Sequence, residues 1–374
     1  MHTRSESITA SLRFGALALR PAGAGTSTYI RELLAVLGPH ICGAQLSALV
    51  QRDAIDELPP QVRAVPRPVN SGIRRAITGF APNSGVNLFH SLDVDIPVTG
   101  PQISVSTVHD LSVFDVPWAF GKIRVAGERA LLRHAIRRAD ALIAVSDFTA
   151  QRIFDEFRRD AIVIPLAAPS WCRIPAAEEV AAIRKHYGLP ERFILHVASI
   201  EPRKDIGLVI ETAKAAGIPL VLAGAGSDQA TLPREVHGLG FVASADLPAL
   251  YRAASVVAYA SHYEGFGLPP LEAMACGAAV VTSAVGAIAE SCRGGAVLIE
   301  QHDLPTWTRA VKEILYDSDA HEELAAAAPR VAARLSWQQT AQMTAAAYRQ
   351  VGVDVEFNLS DSAGSDNIRP EPKT

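Results

Sequence analysis

Apolar residues fall along this chain in two alternating rhythms. Short runs of Val, Ile, Leu and Ala predict strands at Leu12–Leu19, Gln45–Val50, Val86–His90, Ile103–Val108, Ala141–Val145 and Ala161–Pro165. Between some of these runs the apolar residues recur every three or four positions. That spacing predicts helices at Ser27–Leu37, Lys122–Arg138 and Asp147–Arg158. Several strand runs are continuous rather than alternating, as expected when helices cover both faces of a sheet. The pattern is that of a doubly wound, parallel α/β domain.

The alternation breaks at Leu166–Ala176, where Pro169, Trp171 and Pro175 crowd into a short stretch that reads as a linker. It then restarts. Strands are predicted at Phe193–Ala198, Pro219–Leu222, Ser255–Ala260, Ala278–Thr282 and Ala296–Ile299. Helices are predicted at Ile206–Ala216, Leu247–Ala254, Pro269–Cys276, Leu304–Leu315, Ala320–Leu335 and Trp337–Val351. The expected fold class is therefore α/β with two Rossmann-like domains, residues 1–170 and 171–335. A length of 374 residues agrees, since it exceeds what one core usually supports. Two such domains can place their carboxyl strand edges on either side of a cleft where a ligand binds. The segment 353–374 is rich in Ser, Asp, Pro and Gly and is expected to be disordered.

Composition narrows this only slightly. Four cysteines, Cys42, Cys172, Cys276 and Cys292, lie far apart without a CxxC pair. That fits neither a zinc framework nor a disulfide scaffold and suits a reducing, cytoplasmic setting. The apolar run Ala16–Ala24 is broken by Arg20 and Pro21, so it reads as a strand and its loop rather than a leader or a membrane span. Residues 1–170 carry 18 Lys and Arg against 15 Asp and Glu, a net +3; the remainder carries 17 against 24, a net −7. Lys122, Arg124, Arg129, Arg133, Arg137 and Arg138 share one helical segment. They are either a solvated face or a peripheral contact of the N-terminal domain with the inner face of a membrane. No nucleic-acid partner is expected.

The stretch Ser261–Gly277 carries the most chemistry. Gly265 and Gly267 let backbone approach a ligand, and Pro269 and Pro270 suit the first turn of a helix. The amides around Phe266, Gly267 and Leu268 then lie beside a positive helix end, available to hydroxyl or phosphate oxygens. Glu264 in the loop and Glu272 in the first helical turn can point into one cleft and accept from sugar hydroxyls. Gly23-Ala-Gly25 begins like a dinucleotide fingerprint, but Thr28 replaces its third glycine and no acid ends a second strand at the usual distance. Asp93-Val-Asp95 and Asp317-Ser-Asp319 have the DxD form that metal-dependent sugar transferases use for a diphosphate-bound cation. Neither lies where such a site requires it, so no metal is expected.

In these residues the chain resembles the nucleotide-sugar glycosyltransferases of family 4, which have the GT-B fold. Glu264 and Glu272, seven residues between them, are similar to that family's paired glutamates. Ile200-Glu-Pro-Arg-Lys-Asp205, Val221–Gly226, His109-Asp110, Ala144–Thr149 and Leu335-Ser-Trp337 resemble its other motifs, in the family's order. The likeness spans roughly residues 12–352. It implies that residues 336–352 form a terminal helix crossing back to the first domain. It implies that Arg203 and Lys204 hold the donor diphosphate and stabilise the leaving group. Glu272 would accept from the ribose. Glu264 and the amides of Phe266, Gly267 and Leu268 would hold the hexose, with His109 beside it. Gly25 would bring backbone to the diphosphate from the other side, although Ala22–Tyr29 departs from the family's usual form. The implied reaction moves a hexose, with retention and without a cofactor or metal, from a nucleotide sugar to a glycan or lipid-linked acceptor. The donor most like this segment's users is GDP-mannose. An inactive nucleotide-sugar binder or a scaffold of a glycan-assembly complex is the alternative. Read without the family, Arg203 and Lys204 are also an ordinary helix-start pair, and His109 an ordinary hydrogen-bonded histidine.

Overall fold

The computed structural model describes residues 10–353 except Ala24, Cys42, 229–231 and Arg234. The expected disordered tail lies outside the described residues from position 354 onward. The first half holds strands β1 (Ser11–Gly15), β2 (Gln45–Gln51), β3 (Arg63–Arg67), β4 (Leu88–Ser91), β5 (Ile103–Val108), β6 (Ala141–Ala144) and β7 (Ile162–Val163). Its helices are α1 (Thr26–Leu37), α2 (Gly72–Phe80), α3 (Ser112–Asp115), α4 (Lys122–Arg138) and α5 (Asp147–Phe157). The second half runs α6 (Ala177–His186), β8 (Ile194–Val197), α7 (Ile206–Ala216), β9 (Leu220–Ala223), β10 (Val236–Gly238), α8 (Leu247–Ala253) and β11 (Val256–Tyr259). It continues through α9 (Leu268–Ala275), β12 (Val280–Ser283), α10 (Ile288–Ser291), β13 (Val297–Ile299), α11 (Leu304–Tyr316), α12 (Ser318–Ala332) and α13 (Trp337–Gln350).

Each half is one wholly parallel sheet between helical layers. The first is ordered β3-β2-β1-β4-β5-β6-β7 and the second β10-β9-β8-β11-β12-β13. Central strands such as β9 and β11 are buried at every position, which is why their sequences are unbroken apolar runs. In both sheets the order reverses beside the first strand, between β1 and β4 and between β8 and β11. Loops leaving those strands splay apart there and open a crevice. This is the GT-B fold.

The halves are joined by more than the linker. Ser170, in the linker, donates from both its amide and its hydroxyl to the Glu32 carboxylate on α1. Helix α13 returns to the first half. Its Trp337 Nε1 donates to the Ala168 carbonyl at 3.0 Å, and Tyr348 is hydrogen-bonded to His90 of β4 at 2.7 Å. Across the crevice Tyr263 accepts from the Leu111 amide at 3.1 Å, and Ser146 donates to the Gly265 carbonyl at 2.8 Å.

Three expectations need correction. The first strand stops at Gly15, because Phe89 and the Asp95 carbonyl close over it; Ala16–Leu19 is a buried loop. Strands β3 and β10 and helices α2 and α6 were not expected. Helix α9 begins at Leu268, so Glu272 sits in its second turn, not its first.

Candidate active site

The crevice holds a cavity of about 770 Å³. Its walls include all nine of Gly25, His109, Arg203, Lys204, Glu264, Phe266, Gly267, Leu268 and Glu272. Backbone topology explains the convergence. Gly25 follows β1, the Arg203-Lys204 turn follows β8, and Glu264–Gly267 follows β11, so all three come from loops at the switch points. His109 follows β5, one strand further on.

The cationic corner is built by a short 3-10 turn, Pro202–Lys204. Arg203 Nε donates to Glu201 at 2.9 Å and Nη1 to the Tyr263 carbonyl at 3.2 Å, while its own carbonyl accepts from the His262 amide at 2.7 Å. Glu264 Oε1 lies 3.1 Å from Arg203 Nη1 and 3.8 Å from Lys204 Nζ. Burial alone would raise the Glu264 carboxyl, but Lys204 and Arg203 outweigh it and hold it below the ordinary carboxylate range. Burial likewise opposes the Arg203 charge; Glu264, Glu201 and Asp110 overcome it and push the guanidinium pKa up. Glu264 is therefore a structural counter-ion that aims both cations, a role the sequence reading did not give it. Lys204 is only 7% exposed.

Helix α9 supplies the opposite wall. Gly267 caps it with φ 90°, a left-handed conformation that a side chain resists, and a Cβ there would meet Ile288 Cγ1 at 2.7 Å. Pro269 and Pro270 lack amides, and the amides of Gly267 and Leu268 have no intrahelical acceptor at a helix start. Gly265 lines the cavity and has a second purpose besides. A Cβ on it would lie 2.0 Å from the His109 carbonyl, so it makes room for the first half of the chain. Glu272 accepts from Tyr251 Oη at 3.1 Å. Desolvation raises its carboxyl to about 7, with Tyr251 and Lys204 pulling the other way.

His109 is both structural and cavity-lining. Its Nε2 donates to the Leu92 carbonyl at 2.9 Å, and Tyr29 packs edge-on at 4.8 Å. Its ring also borders a second cavity of about 890 Å³ between α2 and α4. The two cavities share Thr26, His109, Asp110, Glu201 and Arg203, so a group in one meets a group in the other at that seam. The second cavity mixes Phe80, Phe120, Ile123 and Leu131 with Arg75 and Asp93. Five of its lining residues, Gly72, Arg75, Ala76, Ile77 and Phe80, lie on the unexpected α2, so no sequence signal marked that side.

Asp93 and Asp95 face Arg75 at 2.7 and 3.5 Å, and Asp317 caps α12 by accepting from the Asp319 and Ala320 amides. The basic face of α4 is also partly committed. Arg129 donates to the Val113 carbonyl, and Arg129 and Arg133 both stack on Phe114.

Two Rossmann-like units close on a cavity with a cationic corner and a helix N-terminus. The family described as "Glycosyl transferases group 1" matches residues 180–331. The "O-antigen chain mannosyltransferase B" of Escherichia coli is 30% identical over 266 residues, covering 66% of this chain and 70% of that protein. The chain belongs to this glycosyltransferase family. "Serotype-specific mannosyltransferase WbdA" of Escherichia coli is 32% identical over 55% of this chain; the match spans only 28% of WbdA. Among solved structures, "Sucrose-phosphate synthase (tll1590) from Thermosynechococcus elongatus" aligns with TM-score 0.72 and 21% identity, over 91% of this chain and 99% of that one.

Proposed function

We propose that this chain transfers mannose from GDP-mannose, with retention and without a metal, to a glycan or lipid-linked acceptor. The observation that carries the reading is the single cavity lined by all nine residues expected to hold a nucleotide sugar. Arg203 and Lys204 form its cationic corner, which suits a diphosphate and the negative charge that grows on it as the sugar departs. Gly267 and Leu268 present amides beside a helix start, and Glu272 lines the same wall for ribose hydroxyls. The neighbouring cavity, half apolar and meeting the first at His109 and Arg203, suits an acceptor with an apolar portion. Mannose as the sugar is supported by the two Escherichia coli mannosyltransferases. Guanine is supported by the likeness of the Glu264–Glu272 segment.

No side chain at the seam is placed as a dedicated base. Asp110 accepts from the Ser112 amide and His109 Nε2 is held by Leu92. A leaving phosphate that takes the acceptor proton on its own face fits that arrangement. The test is to incubate the protein, in excess EDTA, with GDP-mannose and a series of other nucleotide sugars. Release of nucleoside diphosphate and the anomeric configuration of the product are then read by mass and NMR. Retained α-configuration from GDP-mannose, unaffected by EDTA, is the expected result. Activity that vanishes on chelation and returns with Mn²⁺ overturns the metal-free reading. Binding without release of diphosphate identifies an inactive binder.

A further inference from the structure

Three side chains from three loops meet just behind the cationic corner, outside both cavities. Asp205 ends the turn after β8, His262 lies in the loop after β11, and His302 in the loop after β13. His302 Nε2 is 2.8 Å and His262 Nε2 3.3 Å from the same oxygen, Asp205 Oδ2. The two imidazoles lie side by side with centroids 4.0 Å apart and rings inclined by 32°. One potential ligand atom from each residue falls within 4.8 Å of the others, the only such trio of His, Cys, Asp or Glu among the described residues.

We propose that Asp205, His262 and His302 form a binding site for a divalent transition-metal ion of the zinc class. Two imidazole nitrogens and one carboxylate oxygen are the donor set such ions take, at about 2.0–2.2 Å per bond. Mg²⁺ and Ca²⁺ prefer an all-oxygen shell. The 3.3 Å separation is that of two ligands on a tetrahedral ion with such bonds, and the 2.8 Å pair, a hydrogen bond in the ion-free protein, needs to open by about 0.5 Å. The carboxylate is aimed in advance. Its Oδ1 accepts from the Leu208 amide as the cap of α7, which leaves Oδ2 for the imidazoles. All three side chains keep between 25 and 34% exposure, which leaves an entry path and an open coordination position.

The ion would fasten together the loops that also carry Arg203, Lys204 and Glu264. Asp205 directly follows Lys204, and the His262 amide holds the Arg203 carbonyl. Trp118, from the first half of the chain, packs edge-on against the His262 ring at 5.3 Å, so the site also touches the seam between the halves. The site is a brace and takes no part in the transfer; it is independent of the proposed donor and of metal-free chemistry.

The experiment strips the full chain with EDTA, exchanges the buffer and titrates it with Zn²⁺ by calorimetry at pH 7.5. His302→Ala and the double variant H262A/H302A are run beside it. The expected result is one saturable equivalent in the wild type, at least ten-fold weaker in His302→Ala and absent in the double variant. Asp205→Asn keeps the helix cap and separates ligand loss from misfolding; it is expected to weaken Zn²⁺ binding several-fold with unchanged circular dichroism. Saturating Zn²⁺ should raise the thermal midpoint of the wild type but not of His302→Ala. Co²⁺ substitution should show d–d bands without a thiolate charge-transfer band. Binding that survives intact in the double variant, a thiolate band, or no saturable binding at all overturns the proposal.

Discussion

Lys204 reaches the cavity from a nearly buried position, with its ammonium 3.8 Å from Glu264. Negative charge grows on the diphosphate as the sugar bond breaks, so a fixed cation there stabilises the transition state more than the ground state. Lys204→Ala should therefore lower kcat by about two to three orders of magnitude and donor affinity by much less, the scale for losing one preorganised electrostatic group. Arg203 still pairs Glu264 in that variant, so circular dichroism should be unchanged. Near-normal turnover in a folded Lys204→Ala would remove the diphosphate from this corner. Glu272 makes a different prediction, in pH. Its free carboxyl sits at about 7, and ribose hydroxyls donating to it favour the ionised form. The bound value is then lower than the free one, and donor binding releases a proton between the two. Donor Kd should fall by up to about ten-fold per pH unit as pH rises toward 7 and level off above it. Calorimetry in two buffers of different ionisation heat reads the proton directly, and Glu272→Gln should abolish both the slope and the release. The same raised value works against folding at high pH: its contribution to stability is present below the ordinary carboxylate value and lost as pH rises through about 7.

Helix α13 shows how an element can be legible and yet conceal what holds it. Its span is predicted almost to the residue, because Ser336 caps it and its apolar face repeats cleanly. The buried chain of Tyr348, His90, Thr107 and Tyr29 that docks it was not expected, since hydrogen-bonded neighbours in it are separated by up to 258 positions. His90 is buried and pushed down to about 3, by desolvation first and His109 second, so it is neutral and needs both hydrogen bonds. Tyr348→Phe leaves its Nδ1 unpaired and should destabilise the protein by about 1–3 kcal/mol in urea unfolding, with little change in kcat. An unchanged midpoint would mean that α13 docks through its apolar face alone. The same contrast runs through the fold. Helix α7 was predicted with its observed bounds because Asp205 and Gly217 mark its two ends. Strand β3 was missed because Arg63-Ala-Val-Pro-Arg67 is an edge strand, charged and interrupted by proline, with no need of an apolar run. Helix α6 was missed because only Ile183 is buried along it. At the site, the residues on short motifs were legible and the pairing of Glu264 with both cations was not. Spacing shows which loop a carboxylate occupies, not which charge it faces.

At the scale of the whole molecule, the first half is net positive and the second net negative, +3 against −7. No helix among the described residues is long and apolar enough to cross a membrane. The basic residues of α4 can be ranked as places for a peripheral lipid contact by what already engages them. Of the six basic residues in that segment, Arg129 and Arg133 are poor candidates because both are engaged with α3. The start of α4 is better. Ile123 is 84% exposed between the exposed Lys122 and Arg124, and Ile77 of α2 is 64% exposed. Ile77, Ile123 and Arg124 all border the second cavity, so an acceptor anchored in lipid could enter it directly from a surface docked there. Basic residues near an anionic surface contribute about 1 kcal/mol each, and a buried isoleucine adds a salt-independent term. The chain should therefore co-sediment with vesicles containing phosphatidylglycerol more than with neutral ones, and less as salt rises. The double reversal K122E/R124E should lower recovery several-fold and flatten its salt dependence. Ile123→Asp should lower recovery but leave the remaining salt dependence in place. Arg129→Glu should change recovery little, because that side chain is already occupied. Lys122 lines neither cavity, so turnover on a water-soluble acceptor should persist in K122E while turnover on a vesicle-borne acceptor falls. Equal recovery with neutral and anionic vesicles would leave the α4 start as an ordinary solvated surface and assign the second cavity to a soluble glycan.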